Sequence, residues 1–477
     1  MKLKEQCALF GIYGAENAAQ LAYLGLYSLQ HRGQESSGIV SSDLNTVYEH
    51  RELGLVSKAF NKEILDDLKG TLAIGHNRYS TTGLTNRANI QPLLVDCKVG
   101  KIAVGHNGNL VNAVELRRQM ESDGSIFRST TDSEVILHLI ARSRKTSIEE
   151  MIMEALRKVE GAFSLVFLTK DSVVAARDPR GFRPLCLGRL DEAYVVASES
   201  CAFDIVGAMY MREIAPGEMC VLGPGGPQFM RFAEPEPRLR RCIFEFIYFS
   251  RPDSRVFGEN VDKVRRNLGR RLAIESMPEA DMVIAVPDSS NTIALGFAEV
   301  SRLPFELGLI RNHYVGRTFI QPVQSMRDLD VRIKFNPVRG VLRGKRIVVV
   351  DDSIVRGSTM RKLVSILRQA GADKIHLRIG SPPITHSCYY GIDTPTRGEL
   401  IASNHSVKEI EDYLGVDSLH YLSIEGLLTC VEEPDNYCVA CFSGAYPIAP
   451  NGCLHKDVFE SGSGCGDGFG VRDRVKD

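Results

Sequence analysis

The stretch GKRIVVVDDSIVRGSTMRKLVSILRQAG, residues 344–371, predicts how the second half of this chain folds. Its unbroken apolar run at residues 347–350 is typical of a strand buried on both faces, as in a parallel sheet covered by helices. Apolar residues then recur at helical spacing up to Gly371, and Ser358 or Thr359 can cap that helix. We therefore expect a strand, a loop and a helix of an α/β domain.

The loop between this strand and this helix carries groups that suit a phosphorylated sugar. Asp351 and Asp352 stand at the carboxyl end of the strand, where carboxylates can bind sugar hydroxyls or hydrated Mg2+. Residues 353–359 bring backbone N–H groups and hydroxyls to a helix N-terminus, where the helix dipole favours an anion. A capped helix with two solvated acids explains these residues equally well.

The string VVVDDSIVRGST resembles the phosphoribosyl-pyrophosphate (PRPP) signature of type I phosphoribosyltransferases. The resemblance implies that the acidic pair holds the ribose hydroxyls and that the loop grips the 5′-phosphate. The implied PRPP contacts are Asp351, Asp352, Ser353, Ile354, Val355, Arg356, Gly357, Ser358 and Thr359.

Length and composition limit the possible classes of protein. A chain of 477 residues exceeds what one core usually organises, so two domains are expected. Its net charge of −1 gives no reason to bind nucleic acid or a membrane, and no apolar run is long enough to span a bilayer. Twelve cysteines without a secretory signal indicate a reducing, cytoplasmic setting, where metal or catalytic roles outweigh disulfides.

Cys7 opens the strand-like run CALFGIYG near the start of the chain. A cysteine in that position is most often a small buried hydrophobe. The functional alternative requires that residues 1–6 be a propeptide that is removed. Cys7 would then carry a free α-amine, whose pKa of about 8 lets it act as a base toward its own thiol.

Polar residues recur at the ends of the predicted elements that follow. HNRYSTTG comes after the strand TLAIG, HNGNL comes after IAVG, and Asp132 begins a helix with Thr131 and Glu134 spaced as a capping box. The amide of Asn107 and the backbone N–H of Gly108 suit the oxyanion of carboxamide hydrolysis. An α-amino acid substrate also needs one cation and one anion, which Arg78 and Asp132 can supply. Taken singly, these two are equally well a surface arginine and a helix cap.

In order, Cys7, HRGQESSG, GHNRYSTTG, GHNGNL and TTDSE resemble the N-terminal-nucleophile glutamine amidotransferases. The resemblance implies an αββα sandwich, an α+β fold with two sheets between helical layers. It also implies Cys7 as the nucleophile, Asn107 and Gly108 as the oxyanion hole, and Arg78, Thr81 and Asp132 as glutamine contacts.

The stretch at residues 223–237, rich in Pro and Gly, predicts a domain boundary. We expect a glutamine amidotransferase domain at 7–235, a phosphoribosyltransferase domain at 236–450 and a disordered tail at 451–477. A second strand and helix unit begins at Asp281, with PDSSN in its loop. In the resembled phosphoribosyltransferases this loop grips pyrophosphate and metal, which implies Mg2+ at Ser289, Asp351 and Asp352.

Residues 311–346 are rich in cations and have no clean period. A solvated basic loop is the commoner explanation of such a segment. A cationic lid would, however, stabilise a pyrophosphate leaving group and exclude water. Arg317 and Lys334 are the lid candidates that we predict to contact PRPP.

Cys438 and Cys441 form a C-x-x-C pair, while Cys242 and Cys388 are isolated. Spacing alone allows zinc, redox chemistry or an iron–sulfur cluster. The sequence around these four cysteines resembles the iron–sulfur-containing subclass of amidophosphoribosyltransferases, which implies that they bind one 4Fe-4S cluster. The competing ligands are Cys430, Cys453 and Cys465.

Nearly the whole chain resembles the amidophosphoribosyltransferases. The resemblance implies that Cys7 hydrolyses glutamine and that ammonia passes internally to PRPP, giving 5-phosphoribosylamine, pyrophosphate and glutamate in the first committed step of purine synthesis. It further implies one Mg2+ and one cluster per subunit, inhibition by purine nucleotides and a homotetramer. The alternatives are a glucosamine-phosphate synthase or asparagine synthetase, which the acidic pair disfavours, a regulatory or ammonia-only paralogue, and a structural protein.

Overall fold

The structure, a computed structural model, describes residues 7–79, 86–312 and 334–449. Within these ranges, the first domain contains two antiparallel sheets. The first sheet has the spatial order β11 (Met209–Glu213), β9 (Cys186–Leu190), β10 (Ala193–Ala197), β1 (Ala8–Tyr13), β4 (Leu72–Arg78), β2 (Ser36–Ser42) and β3 (Val47–Leu53). The second has the order β13 (Gly226–Arg231), β12 (Glu218–Gly223), β8 (Val173–Arg177), β7 (Gly161–Leu168), β6 (Gly100–Leu110) and β5 (Leu93–Cys97).

The two sheets pack face to face through alternate apolar side chains. Leu9, Ile74 and Val166 belong to the buried layer between them. The outer face of the first sheet is covered by α1 (Ala18–Ser28), α2 (Val56–Ala59), α3 (Lys62–Asp67) and α7 (Cys201–Val206). The outer face of the second is covered by α4 (Ala113–Ser122), α5 (Glu134–Arg142) and α6 (Ile148–Leu156). The predicted αββα sandwich is therefore confirmed.

The second domain is built on a parallel sheet whose described strands are β17 (Met282–Ala285), β20 (Arg346–Asp351), β21 (Lys374–Ile379) and β22 (Ser418–Tyr421), in that order. Side chains of β20 enter apolar clusters on both faces, Val348 and Val350 on one and Ile347 and Val349 on the other. The predicted buried strand is thus confirmed. The helices of this domain are α8 (Val261–Glu275), α9 (Asn291–Ser301), α10 (Arg339–Leu342), α11 (Ser358–Gln369), α12 (Ile401–Asn404), α13 (Val407–Leu414), α14 (Ile424–Leu428) and α15 (Ala440–Ser443).

Short elements connect these parts. A π-helix spans Glu245–Phe249, and 3-10 turns span Arg87–Asn89, Arg397–Glu399 and Pro434–Asn436. The short strand pairs are β14 (Arg241–Cys242) with β23 (Tyr437–Cys438), β15 (Arg255–Val256) with β16 (Glu259–Asn260), and β18 (Leu309–Arg311) with β19 (Phe335–Pro337). Across the described ranges, no helix is long and apolar enough to cross a membrane.

Two predicted helix starts differ from the structure. Helix α11 begins at Ser358 with Gly357 as its N-cap, so neither predicted hydroxyl occupies the cap. Helix α5 begins at Glu134 after Ser133, and the Glu134 carboxylate accepts hydrogen bonds from the N–H groups of Arg128 and Ser129 instead of closing a capping box. The Pro- and Gly-rich stretch at 223–237 contains the hairpin turn between β12 and β13 and strand β13 itself, and the domain boundary expected there stays a prediction.

Candidate active sites

Cys7 lies directly before β1, beside the end of β4. The pairing of these strands matches Ala8 with Asn77, so Cys7 is next to Arg78 across the ladder. The Cys7 side chain is buried, and its Sγ lies 3.5 Å from the carbonyl oxygen of Tyr79, to which it can donate. Strand register therefore places a thiol beside a buried guanidinium group.

The electrostatic surroundings of the Cys7 thiol favour its protonated form. Burial raises its pKa to about 11, and the carboxylates of Glu35 and Asp132 also raise it, while the backbone contact with Tyr79 and the charge of Arg78 lower it. Cys7 thus needs a base to become a nucleophile at neutral pH.

Asp132 is a buried carboxylate beside this thiol. Its oxygens accept hydrogen bonds from the N–H of Leu110 at 2.9 Å and the hydroxyl of Ser133 at 3.2 Å, and Nδ1 of His106 lies 3.6 Å away. Burial alone would raise the pKa of Asp132, but His106 and the two donors outweigh it and lower the pKa. An ionised Asp132 is available to a substrate ammonium group.

Asn107 and Gly108 lie within β6, among the residues paired with β7. The Asn107 side chain is fully buried, and neither its Nδ2 nor its Oδ1 has a hydrogen-bond partner in the described part of the chain. Gly108 has a φ of 153°, and a Cβ there would lie 1.9 Å from the Ala162 carbonyl oxygen. A buried amide with unmet hydrogen bonds, followed by an obligatory glycine, suits a developing oxyanion.

Two features of this site differ from the sequence-based expectation. The polar residues do not follow their strands, because β4 continues through Arg78 and β6 through Leu110. Arg32 was not predicted as part of the site, yet it is buried, its Nε donates to the Cys7 carbonyl oxygen at 3.2 Å, and its guanidinium group pairs with Glu199 and Glu245. Nothing in the sequence indicated that Arg32 is buried, because it lies in a polar turn and carries a charge. Thr81 lies outside the described residues.

The acidic pair of the second domain meets the loop that follows β17. Asp351 and Asp352 are buried at the carboxyl end of β20. The Ser290 hydroxyl donates to Asp351 at 2.8 Å, the Ser289 hydroxyl to Asp352 at 2.5 Å, and the Ser353 hydroxyl to Asp352 at 2.7 Å. The structure therefore brings together the residues predicted to bind Mg2+ and ribose.

The rest of the predicted phosphate loop divides into exposed and buried positions. Ile354 and Val355 are buried in the core, so their backbone is the part that can reach a ligand. Arg356 pairs with Glu399 at 2.5 Å, while Asp351, Ser353 and Thr359 line one cleft. Of the lid candidates, Arg317 lies outside the described residues. Lys334 is exposed beside β19, and its carbonyl oxygen accepts from the N–H of Asn312 at 2.9 Å.

The four predicted cluster ligands lie close enough for their thiols to influence one another. Pairing of β14 with β23 puts Cys242 in register with Cys438. Burial, the Glu245 carboxylate and the Cys388 thiol raise the pKa of Cys242 to about 11, and burial with the thiols of Cys242 and Cys388 raises the pKa of Cys438 to about 12. Burial and then the other three thiols raise the pKa of Cys441, and Cys388 is free of any disulfide.

The described residues contain no group of three or more His, Cys, Asp or Glu side chains arranged to hold a metal ion. Among the competing ligands, Cys430 is engaged elsewhere, since its thiol donates to the Gly426 carbonyl oxygen on α14 at 3.2 Å. Cys453 and Cys465 fall beyond the described ranges. The cluster assignment therefore stays a prediction.

Known proteins resemble this chain over its glutamine amidotransferase domain and over nearly its whole length. Residues 76–204 match the family described as a glutamine amidotransferase domain. The amidophosphoribosyltransferase of Bacillus subtilis is 50% identical over 451 residues, which cover 93% of this chain and 94% of the relative. That of Synechococcus elongatus is 50% identical over 455 residues, covering 94% of this chain and 92% of the relative. A solved structure of the B. subtilis glutamine PRPP amidotransferase complexed with ADP and GMP matches with a TM-score of 0.88 and 50% identity, covering 93% of this chain and 98% of that one.

Proposed function

Because the chain belongs to the amidophosphoribosyltransferase family, we propose that Cys7 hydrolyses glutamine and that the ammonia attacks PRPP held by Asp351 and Asp352. The enzyme is a pentosyltransferase with a glutamine amidotransferase domain, and it catalyses the first step of de novo purine biosynthesis. The observation that most supports our assignment of the first site is the buried Asn107 amide, which has no hydrogen-bond partner in the described residues.

The first half-reaction uses the α-amine that Cys7 gains when residues 1–6 are removed. This amine takes the thiol proton, the thiolate attacks the carboxamide carbon, and the carbonyl electron pair moves to oxygen. The Asn107 amide and the Gly108 N–H stabilise that oxyanion. Collapse breaks the C–N bond while the protonated α-amine of Cys7 gives its proton to the leaving NH2 group, which departs as ammonia. Water then cleaves the thioester, giving glutamate and the free Cys7 thiol.

Three residues orient glutamine in this scheme. Arg78 binds its α-carboxylate and Asp132 its α-ammonium, since both charges lose water on binding and need partners. Thr81 is the third contact. Burial of the Arg78 and Asp132 side chains supports these roles, because an exposed ion pair would bind weakly.

The second half-reaction joins ammonia to the anomeric carbon of PRPP. A C–N bond forms, the bond to the pyrophosphate oxygen breaks, and the products are 5-phosphoribosylamine and pyrophosphate. Asp351 and Asp352 hold the ribose hydroxyls, and the backbone of residues 353–359 binds the 5′-phosphate. Arg317 and Lys334 neutralise the departing pyrophosphate and shield the reacting carbon from water.

Mg2+ fits the oxygen-rich donor set of Ser289, Asp351 and Asp352, in which the Ser289 hydroxyl donates to Asp352 and the neighbouring Ser290 hydroxyl donates to Asp351. These residues would hold one Mg2+ ion per subunit. When bound, the ion would neutralise part of the negative charge of the pyrophosphate group. We also propose one 4Fe-4S cluster on Cys242, Cys388, Cys438 and Cys441, because the pairing of β14 with β23 brings Cys242 beside Cys438, close to Cys441 in the C-x-x-C pair, and the donor chemistry suits iron.

The cluster proposal is tested by metal analysis of anaerobically purified protein. We expect iron and acid-labile sulfide near four each per chain, whereas stoichiometric zinc would contradict the assignment. Inhibition by purine nucleotides, a homotetramer, a cytoplasmic location and the domain limits remain proposals; the complex of the B. subtilis relative with ADP and GMP supports nucleotide binding.

The decisive experiment for the function compares Cys7→Ala with wild type in two assays of pyrophosphate release. Glutamine-dependent release should vanish, because the nucleophile is gone, while ammonia-dependent release should persist. Cys97→Ala is the matched control, since Cys97 is a half-buried free thiol on β5. Loss of both activities, or retention of both, would contradict two separable sites. A wild-type chain active with ammonia alone would favour the ammonia-only paralogue.

A further inference from the structure

A segment of the second domain, residues 389–391, packs directly on the strand that carries the oxyanion residues. Gly391 is buried, and a Cβ built on it would lie 2.8 Å from both Cα and the carbonyl carbon of Gly108. Its φ of 96° adds a second reason for glycine. Backbone of the second domain therefore touches backbone of the first at Gly108.

Side chains of the first domain hold the same segment from two further directions. Asn109, the residue after Gly108, donates its Nδ2–H to the Tyr389 carbonyl oxygen at 3.0 Å. Arg183 is fully buried and donates its Nε–H to the Tyr390 carbonyl oxygen at 3.0 Å. Each bond runs from the sandwich to a main-chain carbonyl of the second domain, so the position of the segment is fixed by its backbone.

Apolar contacts of Tyr390 also hold residues 389–391 in place. The Tyr390 ring stacks on Phe182 with centroids 4.5 Å apart, and both belong to a buried cluster with Val111 and Ala162. The Tyr390 hydroxyl donates to the Ile448 carbonyl oxygen at 2.6 Å. Since Ala162 pairs with Asn109 between β6 and β7, this cluster lies against the ladder that positions Gly108.

We propose that residues 389–391 are a positioning element of the oxyanion hole, so that the glutaminase site is complete only when the second domain is docked. The inference rests on the proposed roles of Cys7, Asn107 and Gly108. Residues 389–391 act through β6. The close contact of Gly391 fixes the position of the Gly108 backbone, and the Tyr389 carbonyl restrains the Asn109 side chain. An oxyanion hole acts on the transition state, so a shift should lower kcat more than it raises the KM for glutamine.

The test is Gly391→Ala in the full, processed enzyme. We expect glutamine-dependent kcat to fall about 10- to 100-fold, the cost of a small misplacement of a reacting group, with KM changed less than about threefold. Ammonia-dependent activity should stay within about twofold of wild type, because the PRPP site does not use the hole. The matched control is Gly258→Ala, which imposes a similar φ of 85° in the same domain with nothing within 4 Å of the new Cβ.

Asn109→Ala provides a second variant without backbone strain, in which the bond to Tyr389 is removed and a smaller kcat loss of the same pattern is expected. A direct readout is the affinity for glutamate γ-semialdehyde. The thiolate adds to its aldehyde carbon, a C–S bond forms and the carbonyl pair moves to oxygen in the hole, so binding should weaken by the same factor as kcat. Glutamate, which lacks that adduct, should bind as to wild type.

Two results would overturn this inference: a Gly391→Ala variant no more affected than Gly258→Ala, or equal loss of glutamine- and ammonia-dependent activity in both Gly391→Ala and Asn109→Ala. Failure of the proposed function looks different. In that case Cys7→Ala would still split glutamine, whatever happens at Gly391.

Discussion

The two candidate sites are built in different ways from the same kinds of residue. In the sandwich, Arg78 and Asn107 lie inside strands, and the register of an antiparallel ladder fixes where each side chain stands. In the second domain, Asp352 and Ser289 follow their strands and meet through loop hydrogen bonds at the carboxyl edge of a parallel sheet. The first site is thus positioned by sheets and the second by loops, which can rearrange around a charged substrate.

The largest expected effect is the loss of activity with both nitrogen donors when the second site is disabled. Asp351→Asn should reduce pyrophosphate release by about 100-fold or more with either glutamine or ammonia, because the ribose and Mg2+ contacts that we propose for Asp351 serve both reactions. Asp281→Asn is the control: this acid pairs with Arg346 at the opposite end of the sheet and should change either rate little. A loss confined to glutamine would break the comparison.

The next largest effect is the loss of glutamine-dependent activity alone when the first site is disabled. Asn107→Ala should lower glutamine-dependent kcat by about 100- to 1,000-fold, the usual cost of removing an oxyanion donor, and leave ammonia-dependent activity intact. Asn45→Ala changes an exposed asparagine of the same domain and should leave both rates unchanged. If ammonia-dependent activity also fell, the strand-built site would not be independent of the loop-built one.

A smaller effect concerns the turn that leads to Asp132. Burial opposes ionisation of Glu134, but hydrogen bonds from His138, Ser129 and Arg128 outweigh it and lower the pKa of Glu134 from 4.5 to about 2. Since the folded-state pKa is lowered, the ionised carboxylate stabilises the fold above its ordinary pKa, and this contribution is lost as the pH falls toward 2. Glu134→Gln should therefore cost about 1–3 kcal/mol at pH 7.

The free energy of unfolding by urea, measured at pH 7 and pH 3, checks this expectation. The control variant is Glu150→Gln, which changes an exposed helix residue. The difference between wild type and Glu134→Gln should shrink at the lower pH. An equal difference at both values would show that the carboxylate charge is unimportant to the turn.

The smallest effect is expected at a loop contact of the second site. Arg311 pairs with Asp288 at 2.6 Å, and both side chains are about half exposed. Arg311→Ala should change the free energy of unfolding by less than about 1 kcal/mol, since solvent screens such pairs. Thermal unfolding at low and high salt would measure it, and a larger loss that salt does not reduce would mean that loops are held as firmly as strands.

Sequence was sufficient wherever local pattern dictates structure. The run at residues 347–350 predicted a strand buried on both faces, and both domain folds were predicted correctly. The ends of β4 at Arg78 and of β6 at Leu110 were missed, because polar residues inside a strand break the apolar pattern that marks it. Residue roles at both sites stay predictions.

Long-range contacts were beyond the reach of sequence pattern. The contact of Gly391 with Gly108 joins positions far apart in the chain, and no local spacing encodes it. The buried ion pairs of Arg32 with Glu199 and Glu245 are similar, since each residue alone is typical of a protein surface. Such contacts form when helices and strands that are distant in sequence pack against one another.

The parallel pairing of β14 with β23 has a consequence for synthesis on the ribosome. The strand at Arg241 and Cys242 cannot find its partner until Tyr437 and Cys438 have emerged, whereas the sandwich that precedes it has all its described strands much earlier. Domains generally fold as units from the N-terminus during translation. A growing chain therefore holds a folded sandwich long before its second domain closes, and residues 389–391 reach Gly108 only after the sandwich has formed.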